Sequence, residues 1–260
     1  MARFDDKVVL VTGGTRGIGR GIADAFLKSG ARVFSCARNA PANASAGKGG
    51  AEFVQADVRD AGQVGELIET VLGRAGRIDV LVNNAGGSPA VDAATVSPRF
   101  TEAIIRLNLL APLLVSQQAY PALKESRGSI VNIASVSGIR PSPGTVAYGA
   151  AKAGLLSATV SLAQEWGPEV RVNAIVAGLI KTASDAADEH YGGSAGIEKI
   201  ESRLPARRMG TAEDIADACL YLASDAAAYV SGAALEVFGG GEPPSFLSFV
   251  EDALKDRSRQ

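Results

Sequence analysis

Along this chain, short uninterrupted runs of aliphatic and β-branched residues alternate with longer stretches in which apolar positions recur every three or four residues. The short runs are Lys7–Val11, Arg32–Cys36, Glu52–Gln55, Ile78–Val82, Ile130–Ile133 leading into Ser135, Val170–Val176 and Ala234–Val237. Runs without a polar alternate predict strands covered on both faces, as in a parallel sheet flanked by helices. The longer stretches predict helices after Gly19 to near Gly30, from near Ala61, from about Phe100 to Leu123, through Tyr148 and Lys152, and from near Thr211, where Glu213 and Asp214 fall in the first turn. Strand and helix alternate from end to end without a linker, which predicts a single α/β domain over 1–260 with a short extension at about 242–260.

Three stretches depart from simple alternation. The Phe100–Leu123 helix is apolar on nearly every face, which predicts burial against a second subunit as well as its own sheet. It carries Asn108 and, four residues on, Pro112; proline has no N–H for the residue-108 carbonyl, so a water site or a tolerated kink is expected there. The polar segment Ala183–Arg203, with Gly192-Gly193 and the chain's single histidine, His190, reads as a mobile lid. Beyond Pro243-Pro244, the residues Phe246, Leu247, Phe249, Val250 and Leu254 follow a helical amphipathic pattern, which predicts a docked tail at a subunit contact near the site entrance.

Composition narrows the function class. With 47% hydrophobic residues, 30 glycines and only 5% aromatics in 260 residues, the chain suits close helix-on-sheet packing. A net charge of −2 without a Lys/Arg cluster argues against a nucleic-acid surface. Cys36 and Cys219 cannot build a disulfide framework and are expected as free core thiols, which fits a reducing cytoplasm. No apolar stretch reads as a membrane span, no membrane partner is expected, and no metal site is expected.

Candidate chemistry centres on Gly128–Lys152. Ser135 ends a buried strand, and Tyr148 and Lys152 share a face of the following helix at i and i+4. A phenol of pKa about 10 is a poor acid or base at neutral pH, and a cation one turn away is expected to favour its phenolate and bring it toward the working range. Ser135 then holds a substrate oxygen against Tyr148. The bland reading is a surface helix with a chance tyrosine and lysine. Thr12-Gly13-Gly14-Thr15-Arg16-Gly17-Ile18-Gly19 links the first strand to its helix as Gly-x3-Gly-x-Gly. Such a turn suits a diphosphate at a helix N-terminus, or tight helix packing alone. After the second strand comes Ala37-Arg38 where an NAD site would present an acid, so Arg38 and Arg16 are expected to clamp a 2′-phosphate. Asp57, followed by Val58, reads as an acceptor for an adenine amino group or as a helix cap. Asn83-Asn84-Ala85-Gly86 suits a backbone lying close to a flat ligand.

In their order along the chain, these residues closely resemble the short-chain dehydrogenase/reductase family, from Lys7 to Gly240. The resemblance rests on Thr12-Gly13-x3-Gly17-Ile18-Gly19, Asp57, Asn83–Gly86, Asn108, Ser135, Tyr148-x3-Lys152 and Arg171-Val172-Asn173-Ala174 to Gly178. It implies a doubly wound seven-stranded parallel sheet and hydride transfer between a nicotinamide cofactor, NADP(H) here, and a carbonyl or alcohol. It implies Tyr148 as acid/base, Ser135 on the reacting oxygen, Lys152 on the nicotinamide ribose, Asn108 holding a relay water, and Ile180 and Thr182 at the carboxamide. The cofactor would further lie against Gly13, Thr15, Gly17, Ile18, Gly19, Asn84, Ala85, Gly86 and Gly178. The sequence departs from the family pattern at Ala177 for a proline, Phe238 for an aspartate and Ala134 for a serine. The reading that results is an NADP-dependent oxidoreductase of a small carbonyl or alcohol, expected as a cytoplasmic homotetramer. Its alternatives are a nucleotide-binding sensor or scaffold without turnover, and a 3-oxoacyl carrier-protein reductase.

Overall fold

A computed structural model describes residues 3–40, 50–182 and 191–244. Seven strands form one parallel sheet: β1 (Val8–Thr12), β2 (Arg32–Ala37), β3 (Glu52–Gln55), β4 (Val80–Asn83), β5 (Ser129–Ser135), β6 (Arg171–Ala177) and β7 (Ala234–Val237), in the order β3-β2-β1-β4-β5-β6-β7. The order reverses beside β1, which has β2 on one side and β4 on the other. In such sheets the crevice at the carboxyl ends of those strands is where ligands bind.

Period-two alternation divides the sheet's side chains between two cores. Val9, Val11, Val33 and Val82 pack with Ile22 and Phe26 of α1 (Gly17–Lys28) and with Ile215 and Cys219 of α7 (Ala212–Ala223). Leu10, Phe34, Leu81 and Ile130 pack on the other side with Leu67 and Val71 of α2 (Ala61–Ala75) and with Val115 and Leu123 of α4 (Ala111–Ser126). Ends are set locally: Asp60 accepts from Gln63 N, Gly76 closes α2 at φ +74°, and Thr211 and Asp214 form a reciprocal cap on α7. The helix cap near Ala61 is thus Asp60 and not Asp57, which the sequence had offered for that role.

The expected Phe100–Leu123 helix is a composite. α3 (Pro98–Ile105) passes into a π turn at Arg106–Leu110 and then into α4, with Ala111 N–H bonded to the Arg106 carbonyl. The ladder absorbs the donor missing at Pro112 by widening one turn rather than by breaking. This helix is not buried all round: Ala111, Val115, Ala119, Ala122 and Leu123 face the core, while Leu110 is 48% exposed. A further apolar surface lies on α5 (Val146–Trp166), where Val146, Ala150, Ala153, Ser157 and Val160 form an exposed stripe at helical spacing. By length and composition alone α5 is long and apolar enough to cross a bilayer. In this fold it packs on β5 and β6, buries Lys152 and bonds Thr159 to Asn132.

Within Ala183–Arg203, residues 193–203 form a helix, α6 (Gly193–Arg203), and Ile197 packs with Leu204 and Met209. Residues 41–49, residues 183–190 with His190, and the amphipathic pattern from Phe246 to Leu254 lie outside the described residues.

Candidate active site

The strand ends at the reversal point and the loops beyond them enclose a cleft of about 660 Å³. Its walls include Gly13, Thr15, Arg16, Gly17, Ile18 and Gly19 from the β1–α1 turn, Arg38 after β2, and Asp57 and Val58 after β3. Asn84, Ala85 and Gly86 follow β4, Ser135 ends β5, Tyr148 and Lys152 come from α5, and Gly178, Ile180 and Thr182 follow β6. Every sequence-singled position but Asn108 therefore faces one space.

The floor is braced by hydrogen bonds. Thr12 Oγ1 donates to Val82 O at 3.3 Å and accepts from Asn84 N at 3.0 Å and Ala85 N at 3.1 Å. Asn84 Nδ2 donates to Thr12 O at 3.0 Å and Gly13 O at 3.3 Å, so its amide clasps the two loops together. A Cβ on Gly19 would be driven into Gly13 O and Asn84 Nδ2, and Gly17 turns at φ +53°. The turn is therefore a cradle that any side chain would fill, opening onto the N-terminus of α1, and its glycines and free helix amides suit a diphosphate. On the rim, Arg16 and Arg38 are exposed, and the Arg16 guanidinium has no side-chain partner among the described residues. The Asp57 carboxylate pairs with Arg59 at 2.6 Å, and Arg59, with Arg38 farther off, holds it below the usual carboxylate range.

At the other end, the buried Lys152 Nζ donates to Ile133 O at 2.8 Å and lies 5.6 Å from the centroid of the Tyr148 ring. Burial pushes its ammonium down to about 8. Burial also pushes the Tyr148 phenol up, against an opposing hydrogen bond from Ser135. The sequence expectation that Lys152 would draw the phenol down is corrected: the cation is aimed at a carbonyl and the ring face, so desolvation wins. Ser135 Oγ accepts from Ser137 N at 3.2 Å, leaving its own proton to donate. Asn108 stands behind the wall, fully buried, with Oδ1 accepting from Gly87 N at 2.8 Å and Nδ2 donating to Gly87 O and Ile104 O, each at 3.0 Å. An ideal Cβ on Gly86 would lie 2.6 Å from Asn108 Oδ1 and 3.4 Å from Lys152 Nζ, so Gly86 is the gap through which the two approach each other. Sequence reasoning tied Asn108 to its carbonyl; the structure shows its side chain fixing the loop after β4.

Sequence reasoning missed the polar wall beyond Ser135. Ser142 Oγ donates to Ser137 Oγ at 3.1 Å and lies 2.6 Å from Thr145 Oγ1. Arg140 and Tyr191 complete that wall. Arg140 was legible as a cation inside the central stretch; Tyr191 lies within the segment read as a lid and was not singled out. The departures from the family pattern are accommodated: Ala177 continues β6 in register with Val237, and Phe238 packs where a Cβ on Gly178 would otherwise sit.

Residues 13–241 match a family model described as "Enoyl-(Acyl carrier protein) reductase". The chain is 36% identical over 254 residues to Protein FixR of Bradyrhizobium diazoefficiens, covering 92% of this chain and 87% of that protein. It is 36% identical over 246 residues to a 3-oxoacyl-[acyl-carrier-protein] reductase of Thermotoga maritima, covering 92% and 98%. Among solved structures, the ligand-free aldohexose dehydrogenase of Thermoplasma acidophilum superposes with a TM-score of 0.86 at 32% identity, over 93% of this chain and 97% of that one.

Proposed function

The chain belongs to the short-chain dehydrogenase/reductase family, and on that footing we propose that it is an NADP(H)-dependent oxidoreductase acting on a carbonyl or secondary alcohol. The observation that carries the reading is convergence. Ser135, Tyr148 and Lys152 meet at one end of the cleft whose other end is the glycine cradle rimmed by Arg16 and Arg38.

The nicotinamide dinucleotide supplies or takes up the hydride. The cradle and the α1 N-terminus hold its diphosphate, and Arg16 and Arg38 take a 2′-phosphate where an acid would have taken a ribose hydroxyl. Ser135 Oγ donates to the substrate oxygen and fixes it beside Tyr148. The Tyr148 phenol, which burial pushes further above neutrality, delivers its proton to that oxygen during carbonyl reduction and recovers it when the direction is reversed. Lys152 holds the ribose and the phenol's lower face, and Asn108 fixes the loop at Gly87 against which the nicotinamide side of the cleft is built.

Two further assignments accompany this reading. The exposed stripe on α5 and the exposed Leu110 suit helix packing against a second copy, hence a homotetramer. Buried thiols at Cys36 and Cys219, with burial pushing the first up to about 12, fit a reduced cytoplasm. A carrier-protein reductase is the second reading, favoured by the Thermotoga relative.

The test is NADPH oxidation across ketones, quinones and β-keto esters, with NADH in parallel. Turnover with NADPH and a reversal of preference on Ala37→Asp is expected. Equal or tighter binding of NADH by the wild type at low salt would refute the arginine clamp.

A further inference from the structure

Four cations line the described cleft: Arg16, Arg38, Lys152 and Arg140. Arg16 and Arg38 stand at the cofactor rim, and Lys152 is spent on Ile133 O. Arg140 is on the substrate side, in the loop between the 3₁₀ turn Val136–Gly138 and α5, with its N–H bonded to Val136 O. Its neighbours on that wall are hydroxyls: Ser137, Ser142 and Thr145 form a hydrogen-bonded row. Among the described residues, the substrate end thus offers a row of hydroxyls and one guanidinium, a set of polar groups that suits an anionic or hydrogen-bonding substituent.

That guanidinium already shows what it binds. Arg140 Nε lies 2.6 Å from Glu242 Oε2 and Nη2 donates to Glu242 Oε1 at 2.7 Å, the two-point geometry of a fork on a carboxylate. Glu242 comes from a distant part of the chain, immediately after Gly239-Gly240-Gly241, whose φ values are +64°, +92° and +79°. Three successive glycines in the left-handed region bring the carboxylate to the guanidinium along a course that residues with a Cβ rarely adopt. Tyr191 links the pair to the chemistry, since its phenol is raised by burial and by both Tyr148 and Glu242 nearby.

We infer that Arg140 anchors a carboxylate carried by the substrate, and that the Glu242 carboxylate occupies the fork until the substrate takes its place. The substrate class is then an oxo acid or the matching hydroxy acid. The exchange is like for like: one carboxylate leaves as another arrives at a guanidinium that is open to solvent and so reachable from outside. This rests on the oxidoreductase reading of the same cleft and narrows it to acids.

The experiment compares NADPH-dependent reduction of pyruvate, acetoacetate and levulinate with that of their methyl esters, for wild type, Arg140→Gln, Arg140→Lys and Glu242→Gln. Thermal shifts of the NADPH-loaded proteins by the same probes are recorded alongside. For at least one chain length the acid is expected to exceed its ester at least tenfold in kcat/KM. Arg140→Gln should lower the acid's value at least tenfold and leave the ester within about twofold, with Arg140→Lys intermediate. Glu242→Gln should lower KM for the acid several-fold by removing the competing carboxylate. Esters reduced as well as acids at every length, an equal loss of both in Arg140→Gln, or neither turnover nor stabilisation selective for acids would overturn the inference. Failure of the oxidoreductase reading looks different: no turnover of acid or ester, with Arg140-dependent stabilisation by the acid retained.

Discussion

Replacing Lys152 with methionine should uncouple stability from alkaline pH. Lys152 is buried, and burial lowers its pKa from 10.5 to about 8. Between those values the unfolded chain binds a proton that the folded chain does not, so the lysine's contribution makes stability rise with pH. The penalty for holding the charge inside is fully present below about 8 and is relieved as pH climbs toward 10.5. At about 1.4 kcal/mol per pKa unit the full penalty is about 3 kcal/mol. Of this, about 2 to 3 kcal/mol is recovered between pH 7 and pH 10. The methionine variant has no such group and loses the bond to Ile133 O, a pH-independent loss that cancels when the two proteins are compared across pH. Urea unfolding of both at pH 7, 8, 9 and 10, at one protein concentration because assembly shifts apparent stability, should show the wild type gaining on the variant by that amount. Parallel curves would refute the reasoning, since Lys152 would then be solvated enough in the fold to keep its ordinary pKa.

Tyr148→Phe should abolish turnover and leave cofactor binding nearly intact, because the phenol moves a proton while the cradle lies at the other end; residual activity within tenfold of wild type would remove Tyr148 from that role. Lys152→Ala should damage both turnover and cofactor binding, measured by activity and by NADPH fluorescence titration. Gly19→Ala forces a methyl against Gly13 O and the Asn84 amide and should cost about 1 to 3 kcal/mol in stability with at least tenfold weaker NADPH binding; unchanged values would mean the floor yields. Wild type should sediment as a tetramer at micromolar concentration and Ala153→Arg, on the exposed α5 stripe, as a smaller species; a wild-type monomer contradicts the assembly.

The strands were legible because sheets covered on both faces demand continuous apolar runs, and β3 and β7 fall where the pattern put them. β4 starts two residues late: Asp79, read as strand, instead accepts from Val8 N at 3.0 Å and pairs with Arg77 and Lys7. The candidate site was legible wherever a residue type and its element sufficed, as for Ser135 at a strand end or Tyr148 and Lys152 one turn apart. It was not legible where the answer depended on direction. Nothing in Tyr-x3-Lys says that the ammonium points at Ile133 O, and so the sign of the tyrosine's shift was lost. Nor could spacing pair Arg140 with Glu242, 102 residues away. Asn108 was found beside Pro112, but the π turn that places its side chain on Gly87 is a cooperative property of the ladder, invisible in composition.

The clasp of Thr12 and Asn84 bears on how fast the cofactor can associate. Five hydrogen bonds within the protein close that floor, so its loops have less freedom to surrender when a dinucleotide arrives. The entropic charge on association then falls on the ligand and on the rim arginines, and a preformed floor keeps the association rate in the ordinary range of about 10⁵ to 10⁷ M⁻¹s⁻¹ or above it through electrostatic steering. If the exposed Arg16 and Arg38 take a 2′-phosphate as proposed, differences in affinity between the two phosphorylation states of the dinucleotide should accordingly be read in residence time.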